Sequence, residues 1–238
     1  MKLDKYFILL VTLVLVVVNL VVYGLLGDYV SRVTRFVSML IFFLIFLRPM
    51  FYLSGALLIF TSFVINDLLL ISFENFYNQN VVLFIRLCAY GLLARLVMPY
   101  LKKIRVKIFE GILFAGILIM NFLLLHYIEE TISTFDDSSW WEDILFYGYG
   151  TAVILSVATA FTFYSRYIDK ASIFFLLSLL GLVLSDLTFF IGFYLDFPEF
   201  YYLDRGFNII AIGGLLHFLF LFKRKIARNF YERVEDKI

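Results

Sequence analysis

Ionisable side chains inside long apolar runs are the residues of this sequence best suited to chemistry. In the hydrocarbon core of a bilayer each such group costs about 2.5–3.5 kcal/mol on insertion scales, so it faces a partner or a wet cavity rather than lipid. The ionisable residues within the apolar runs are Asp67, Arg86, Arg95, Glu110, His126, Asp186 and His217. Each of them marks a candidate functional position.

Two aspartates and an arginine are predicted at comparable depths below one membrane surface. At a rise of about 1.5 Å per residue, Asp67, Arg86 and Asp186 lie about 8, 9 and 13 Å from the outer ends of their runs. The polar residues expected beside them are Asn66, Ser185 and Asn208. These residues are therefore expected to share one polar pocket in the outer half of the bilayer.

Two interpretations of this pocket fit the sequence. In the functional one, Asp67 and Asp186 are catalytic and divide the acid and base roles, while Arg86 binds an anionic group or tunes one carboxylate. The neighbouring amides and hydroxyl of Asn66, Ser185 and Asn208 would then contact the substrate. In the structural one, Asp67 and Arg86 form an ion pair, and Asp186 is hydrogen-bonded between helices.

The other ionisable residues favour structural roles. Arg95 and Glu110 are expected to snorkel to the interface or to pair with each other. His126 is expected at the outer interface or, alternatively, in the pocket, and His217 in hydrogen-bonded packing. The two histidines lack HxxxH or HExxH spacing, so no metal site is predicted, and no cofactor motif is present.

The elements that must position these residues are transmembrane helices. The chain has 238 residues, of which 63% are hydrophobic, and its mean hydropathy is +0.95. The apolar runs are continuous and long enough to span a bilayer, whereas barrel strands would alternate. The sequence predicts an all-α polytopic bundle with spans at 6–26, 33–48, 51–72, 80–101, 108–128, 143–165, 172–195 and 203–222. The first run is expected to be retained as a span, because it is too long for a signal peptide.

Charge predicts the orientation and the domain limits. Lys and Arg concentrate in the segments expected on the cytoplasmic side, where the positive-inside rule places them. Most acids, together with Arg32, Arg35 and Arg205, are assigned to the outside loops and their flanks. The prediction is one transmembrane domain over 1–222 and a basic cytoplasmic tail over 223–238. Both termini are then expected in the cytoplasm. If the protein is bacterial, the membrane in which it lies is expected to be the plasma membrane. The net charge of +1 gives no nucleic-acid signal.

A local similarity suggests an internal repeat. The segment 63–68 around Asp67 matches 182–187 around Asp186, and the same offset carries Arg86 onto Arg205. One interpretation is two parallel four-span halves, as some transporter folds use. The other is chance agreement between leucine-rich helices.

The layout and two motifs resemble the YhhN family of lysoplasmalogenase-like membrane proteins. The first motif is Asn66-Asp67-Leu68-Leu69-Leu70 in span three, and the second is the run from Gly181 to Ser185-Asp186-Leu187 in span seven. The chain departs from the family where Asn66 replaces a glycine, where Thr34-Arg35-Phe36 replaces a Lys-Pro, and where Ala89-Tyr90-Gly91 replaces a His-Tyr element.

The resemblance implies hydrolysis of the vinyl-ether bond of a lysoplasmalogen, with membrane lipid or lysolipid as the partner. One carboxylate would protonate the vinyl carbon and the other would orient water, with Arg86 near the lipid phosphate. The alternatives are a solute or proton-coupled transporter or receptor, and a non-catalytic membrane subunit.

Overall fold

The structure is a computed structural model and describes residues 5–51, 54–73, 76–101, 119, 122–123, 126 and 140–235. Every element in these ranges is helical. The α-helices are α1 (Lys5–Phe51), α2 (Ser54–Leu69), α3 (Phe76–Val97), α4 (Trp140–Tyr167), α5 (Lys170–Tyr194) and α6 (Phe200–Glu235). Short 3-10 turns, Leu70–Ser72 and Met98–Leu101, extend α2 and α3.

Helix α1 is a hairpin rather than one straight rod. Its regular geometry breaks at Gly27, where φ is 81° and ψ is −176°, a conformation that is almost restricted to glycine. The side-chain amide of Asn19 donates to Ser38 Oγ at 2.7 Å across the break. In a straight helix these residues would be about 28 Å apart. The arms 5–26 and 28–51 therefore fold back on each other and run antiparallel.

The described residues contain six helices that are long and apolar enough to cross a membrane, and the stretch Tyr6–Ile45 of α1 counts as one of these. This composition is that of an integral membrane protein. The span predicted at 108–128 lies almost entirely outside the described residues. The predicted tail begins within an unbroken helix, because α6 continues to Glu235.

The helices pack in chain order. Each helix from α1 to α6 contacts the next described helix, and α6 returns to contact α1. The α5 and α6 backbones approach closely where a Cβ at Gly181 would lie 3.0 Å from that of Ala211. Small residues allow such close contact between helices in a membrane.

Helices α3 and α4 run parallel to each other. Near their starts, the Asn80 amide donates to the Glu142 carboxylate at 3.3 Å. Near their ends, the Tyr167 hydroxyl donates to the Tyr100 carbonyl at 3.1 Å. Because the chain leaves α3 at one end of the bundle and enters α4 at the other, residues 102–139 connect opposite ends.

A tight turn sets the start of α5. Asp169 is its N-cap, and its Oδ1 accepts from the Ser172 amide at 2.8 Å, while the Ser172 hydroxyl accepts from the Asp169 amide at 3.1 Å. This reciprocal capping box satisfies two backbone donors that the first helical turn leaves open. It fixes the residue at which α5 begins.

Candidate functional site

Asp186 on α5 is held by side chains from two other helices. Arg86 of α3 pairs through Nη1 with Asp186 Oδ1 at 2.8 Å. The hydroxyls of Tyr90 on α3 and Tyr149 on α4 both donate to Oδ2, at 2.7 and 2.5 Å. The Asp186 side chain nevertheless stays 16% exposed, in contrast to 3% for Asp67. Asp186 is therefore the predicted catalytic aspartate that a ligand could reach.

Asp67 on α2 has a different partner from the one expected. The Nε of Arg35, on the second arm of α1, donates to Asp67 Oδ1 at 3.1 Å. The Nη1 of the same arginine reaches both oxygens of Asp204 on α6, at 2.9 and 2.8 Å. The ion pair between Asp67 and Arg86 that the structural interpretation predicts is thus wrong, because Asp67 pairs with Arg35 and Arg86 pairs with Asp186.

Asn66 links the two aspartate sites. Its amide nitrogen donates to Asp67 Oδ1 at 3.2 Å, and its amide oxygen accepts from Arg86 Nε at 3.1 Å. Asp67 and Asp186 therefore belong to one hydrogen-bonded cluster. The contact between them runs through Asn66 and Arg86.

Ser185 and Asn208, both predicted to bind substrate, contact Asp204 and Arg35. Ser185 donates to Asp204 Oδ1 at 2.5 Å. With the Asn208 carboxamide turned so that its oxygen faces Arg35, that oxygen accepts from Nε at 2.5 Å and Nη2 at 2.7 Å. These two side chains hold Arg35 and Asp204 in place.

The cluster continues along α1 and α6. Arg205 pairs through Nη1 with Asp204 at 2.5 Å and through Nη2 with Asp28 at 3.1 Å. Its Nε donates to Ser31 at 2.9 Å. Asp28 also pairs with Arg32 at 2.5 Å. We call the ionisable members the ion-pair network: Asp28, Asp67, Asp186, Asp204, Arg32, Arg35, Arg86 and Arg205. Its formal charges cancel.

The assignment of Arg32, Arg35 and Arg205 to outside loops and flanks is corrected by their burial. All three lie within helices and are at most 5% exposed. Helix resumes directly after Gly27, so α1 carries the first two into the bundle. A signal was present in the sequence, because residues 28, 31, 32, 35 and 38 follow the three- and four-residue spacing of one helix face. That polar stripe marks a face turned toward a partner.

Arg86 has one guanidinium nitrogen left over. Nη2 is buried and has no hydrogen-bond partner among the described residues. The guanidinium also lies over the Phe189 ring, with Cζ 5.6 Å from the centroid. An unsatisfied buried donor costs about 1–3 kcal/mol, and more when charged, so this atom is suited to an anionic or carbonyl oxygen of a ligand.

The remaining predicted positions lie elsewhere. Arg95 is exposed in the last turn of α3. His126 is exposed, with Nδ1 3.0 Å from the Tyr147 hydroxyl of α4. The ring of His217 packs on Phe174, with centroids 4.2 Å apart. Glu110 is outside the described residues.

Tyr90 and Tyr149 were missed by the sequence analysis. The chain has 16 tyrosines, so residue type alone does not single out these two. Tyr90 follows Arg86 by four residues and therefore lies on the same face of α3. That spacing is the signal that could have joined it to the site.

Comparison with known proteins adds no assignment: no family model, curated protein or solved structure matches the chain. Within the described residues, no group of three or more His, Cys, Asp or Glu side chains could hold a metal ion. The resemblance to the YhhN family stays a prediction from two short motifs.

Proposed function

We propose that the chain is an integral membrane lipid hydrolase that cleaves the vinyl-ether bond of lysoplasmalogens, with Asp186 as its proton-transfer group. The observation that carries the proposal is the setting of Asp186. This partly exposed carboxyl group receives hydrogen bonds from Arg86, Tyr90 and Tyr149, and it lies beside the Nη2 nitrogen of Arg86, which has no hydrogen-bond partner in the part of the chain that the structure describes.

In the structure Asp186 is a carboxylate paired with Arg86, so the proposed reaction requires it first to take up a proton from water. The resulting carboxylic acid then transfers its proton to the substrate. The proton goes to the vinyl carbon remote from the ether oxygen, and the other vinyl carbon becomes an oxocarbenium centre. The carboxylate left behind is stabilised by the arginine and the two tyrosine hydroxyls. Water then attacks the cationic carbon while Asp186 takes back a proton. The hemiacetal collapses to an aldehyde and a free glycerol hydroxyl.

Asp67 and Arg86 have supporting roles in this mechanism. Arg86 Nη2 binds the phosphate of the lysolipid, so that a charge-assisted contact anchors the headgroup. Asp67 acts through Asn66, whose amide orientation fixes Nε of Arg86. We therefore infer that Asp67 is a positioning residue and that Asp186 carries the chemistry.

The decisive experiment compares two lysolipids that differ by one double bond. Purified protein is incubated with a lysoplasmalogen and, separately, with its saturated-ether analogue, and aldehyde is measured by mass spectrometry. The wild type is expected to release aldehyde only from the vinyl ether. Asp186→Asn should reduce the rate about 10²–10⁴-fold, the usual contribution of general acid–base catalysis. Asp67→Asn should reduce it less.

The matched control is Asp196→Asn, which changes an exposed carboxylate in the turn between α5 and α6. It should leave the rate unchanged. Thermal unfolding of each variant separates loss of chemistry from loss of fold. Absence of aldehyde with the wild type, or equal rates for Asp186→Asn and the wild type, would exclude the hydrolase.

A transporter or receptor is the second candidate, favoured by the burial of Arg35, Asp204 and Arg205 at 3% or less. A charge-compensated network across several helices is a feature of proteins that rearrange ion pairs or carry protons. Flux of protons or solute into proteoliposomes, without lipid turnover, would support this function. A protein that co-purifies with the chain and stabilises it would instead indicate a membrane subunit.

We also propose that the chain crosses the membrane eight times. The two arms of α1 and the helices α2 to α6 supply seven crossings. The parallel arrangement of α3 and α4 requires residues 102–139 to return across the bundle, and the apolar run at 108–128 is suited to that crossing. An even count places both termini on one side, which the basic segments predict to be cytoplasmic.

A further inference from the structure

A second candidate site lies along α5 about two helical turns before Asp186, at Ser178. An open groove with a cavity volume of about 420 Å³ lies between three helices: α5, α6 and the first arm of α1. This size falls within the usual range for small-molecule sites. Its exposed walls include Leu9, Leu177 and Ile210, which are 64%, 57% and 54% exposed. We call it the α1–α5–α6 groove.

The groove is apolar even where its lining carries hydroxyls. Thr12 donates to the Ile8 carbonyl at 2.8 Å, and Ser178 donates to the Phe174 carbonyl at 2.6 Å. Both hydroxyl groups thus donate their hydrogen bonds to backbone carbonyls of their own helices. The imidazole of His217 also lines the groove, with its ring packed on Phe174. The rest of the lining is hydrocarbon, which suits a chain of methylene groups.

Two glycines of α6 allow these helices to approach one another. A Cβ on Gly213 would collide with Thr12, and one on Gly214 would lie 2.5 Å from the Ser178 hydroxyl. The Gly213-Gly214 pair lines the groove opposite its leucine walls. The shape of the groove therefore depends on the sequence of α6 and is more than a gap between bulky side chains.

One end of the groove lies near the ends of helical segments that carry basic residues in the sequence. Ile8 and Phe174 line that end, close to where α1 begins at Lys5 and α5 begins at Lys170. In the sequence, Lys223, Arg224 and Lys225 directly follow Phe222, the last residue of the apolar part of α6. The nearby carboxylate of Asp169 is engaged as the N-cap of α5.

We propose that the α1–α5–α6 groove binds one acyl chain of an anionic phospholipid, whose headgroup lies at this basic end. The charge complementarity argues for the occupant, since basic clusters beside transmembrane helices recognise anionic headgroups. The site is separate from the ion-pair network, because Ser178 lies about two turns from Asp186 along α5. It is a lipid-binding site and not the substrate site proposed above.

The test uses the full chain in phosphatidylcholine vesicles with a small fraction of phosphatidylglycerol that carries a photoreactive acyl chain. After illumination, peptide mass spectrometry locates the labelled residues. Label should concentrate on Leu9, Leu177 and Ile210, and unlabelled phosphatidylglycerol should compete better than phosphatidylcholine. Leu9→Trp fills the groove and should weaken binding about tenfold or more, as added carbon atoms do in an apolar pocket.

Leu10→Trp is the matched control, because Leu10 is 59% exposed and adjacent in sequence but does not line the groove. It should retain the label. A second pair, Leu177→Trp against Leu184→Trp, repeats the comparison on α5 if either α1 variant folds poorly. The proposal would be overturned if both members of a pair lost the label equally, or if the two lipids competed equally well. It would also be overturned by label spread evenly over the exposed residues, or by cross-links to a second copy of the chain. Aldehyde release from lysoplasmalogen is measured separately, so the proposal of a lipid-binding groove and the proposal of a hydrolase are tested independently.

Discussion

Arg35 pairs with two of the four carboxylates of the ion-pair network, Asp67 and Asp204. It is 3% exposed and bonds to Asp67, Asp204 and Asn208, which come from two other helices. A guanidinium carries five N–H donors in a fixed planar fork and can serve several acceptors at once, whereas an ammonium group carries three donors on a compact point charge. The value of such a residue appears when it is removed, because each buried partner is then left with an uncompensated charge.

Arg35→Met is therefore expected to destabilise the protein by about 3–5 kcal/mol, the usual cost of breaking a buried ion pair. The double variant Arg35→Met with Asp67→Asn should recover part of that loss, because Asp204 keeps Arg205 as a partner. Thermal unfolding in detergent measures both. Arg95→Met, at an exposed arginine, is the control and should change little. Equal losses for the Arg35 and Arg95 variants would show that the network contributes nothing.

At the scale of the element, Gly27 decides the shape of α1. A single residue with positive φ converts an apolar run into two antiparallel arms, and it places Asp28 and Arg32 at the mouth of the bundle. No heavy atom lies within 4 Å of a Cβ added there. The requirement for glycine is therefore one of backbone conformation and not of space.

Gly27→Ala should cost about 1–3 kcal/mol of stability, since a side chain is strained at this φ and ψ. Gly91→Ala offers a close control, because Gly91 lies inside α3 and its Cβ would also meet nothing within 4 Å. That change should be neutral or slightly stabilising, as alanine is the better helix former. The unfolding midpoints of the two variants are compared. A loss at Gly91 as large as that at Gly27 would contradict the role of the break.

At the scale of the whole molecule, the parallel pair α3 and α4 governs topology. Helices that run in the same direction and follow each other in the chain need a return segment between them. The eight-crossing arrangement satisfies this with one further span, and it places the end of α3 and the start of α4 on opposite sides of the membrane.

Single-cysteine labelling tests that arrangement in a Cys88→Ser background. The exposed positions Met98, Trp141 and Ile168 are replaced by cysteine one at a time and treated with an impermeant thiol reagent in sealed vesicles. Met98→Cys and Ile168→Cys should react from one side, predicted to be cytoplasmic, and Trp141→Cys from the other. Labelling of Met98→Cys and Trp141→Cys from the same side would rule out eight crossings.

Sequence reasoning predicted the all-helical membrane class that the structure has, and it singled out three members of the ion-pair network. Continuous apolar runs leave the backbone no option but helix, so the membrane helices were predictable. The cost of a charge in lipid likewise singled out Asp67, Arg86 and Asp186. The sequence could not predict which arginine pairs with which aspartate. The position of a residue along a helix gives its depth in the membrane, but it does not give the neighbouring helix that its side chain contacts. Arg35 and Asp67 come together only because Gly27 turns the chain back.

The ion-pair network also has consequences for biogenesis. Arg35 meets Asp67 as soon as the adjacent helix has been made, so the first hairpin can neutralise charge early. Arg86 must wait for Asp186, and Asp204 is separated from Arg35 by 169 positions. The nascent chain therefore carries Arg86 without its carboxylate partner until the ribosome has delivered α5. Truncations that end before that helix should be retained by the insertion machinery or degraded, however apolar their remaining segments are.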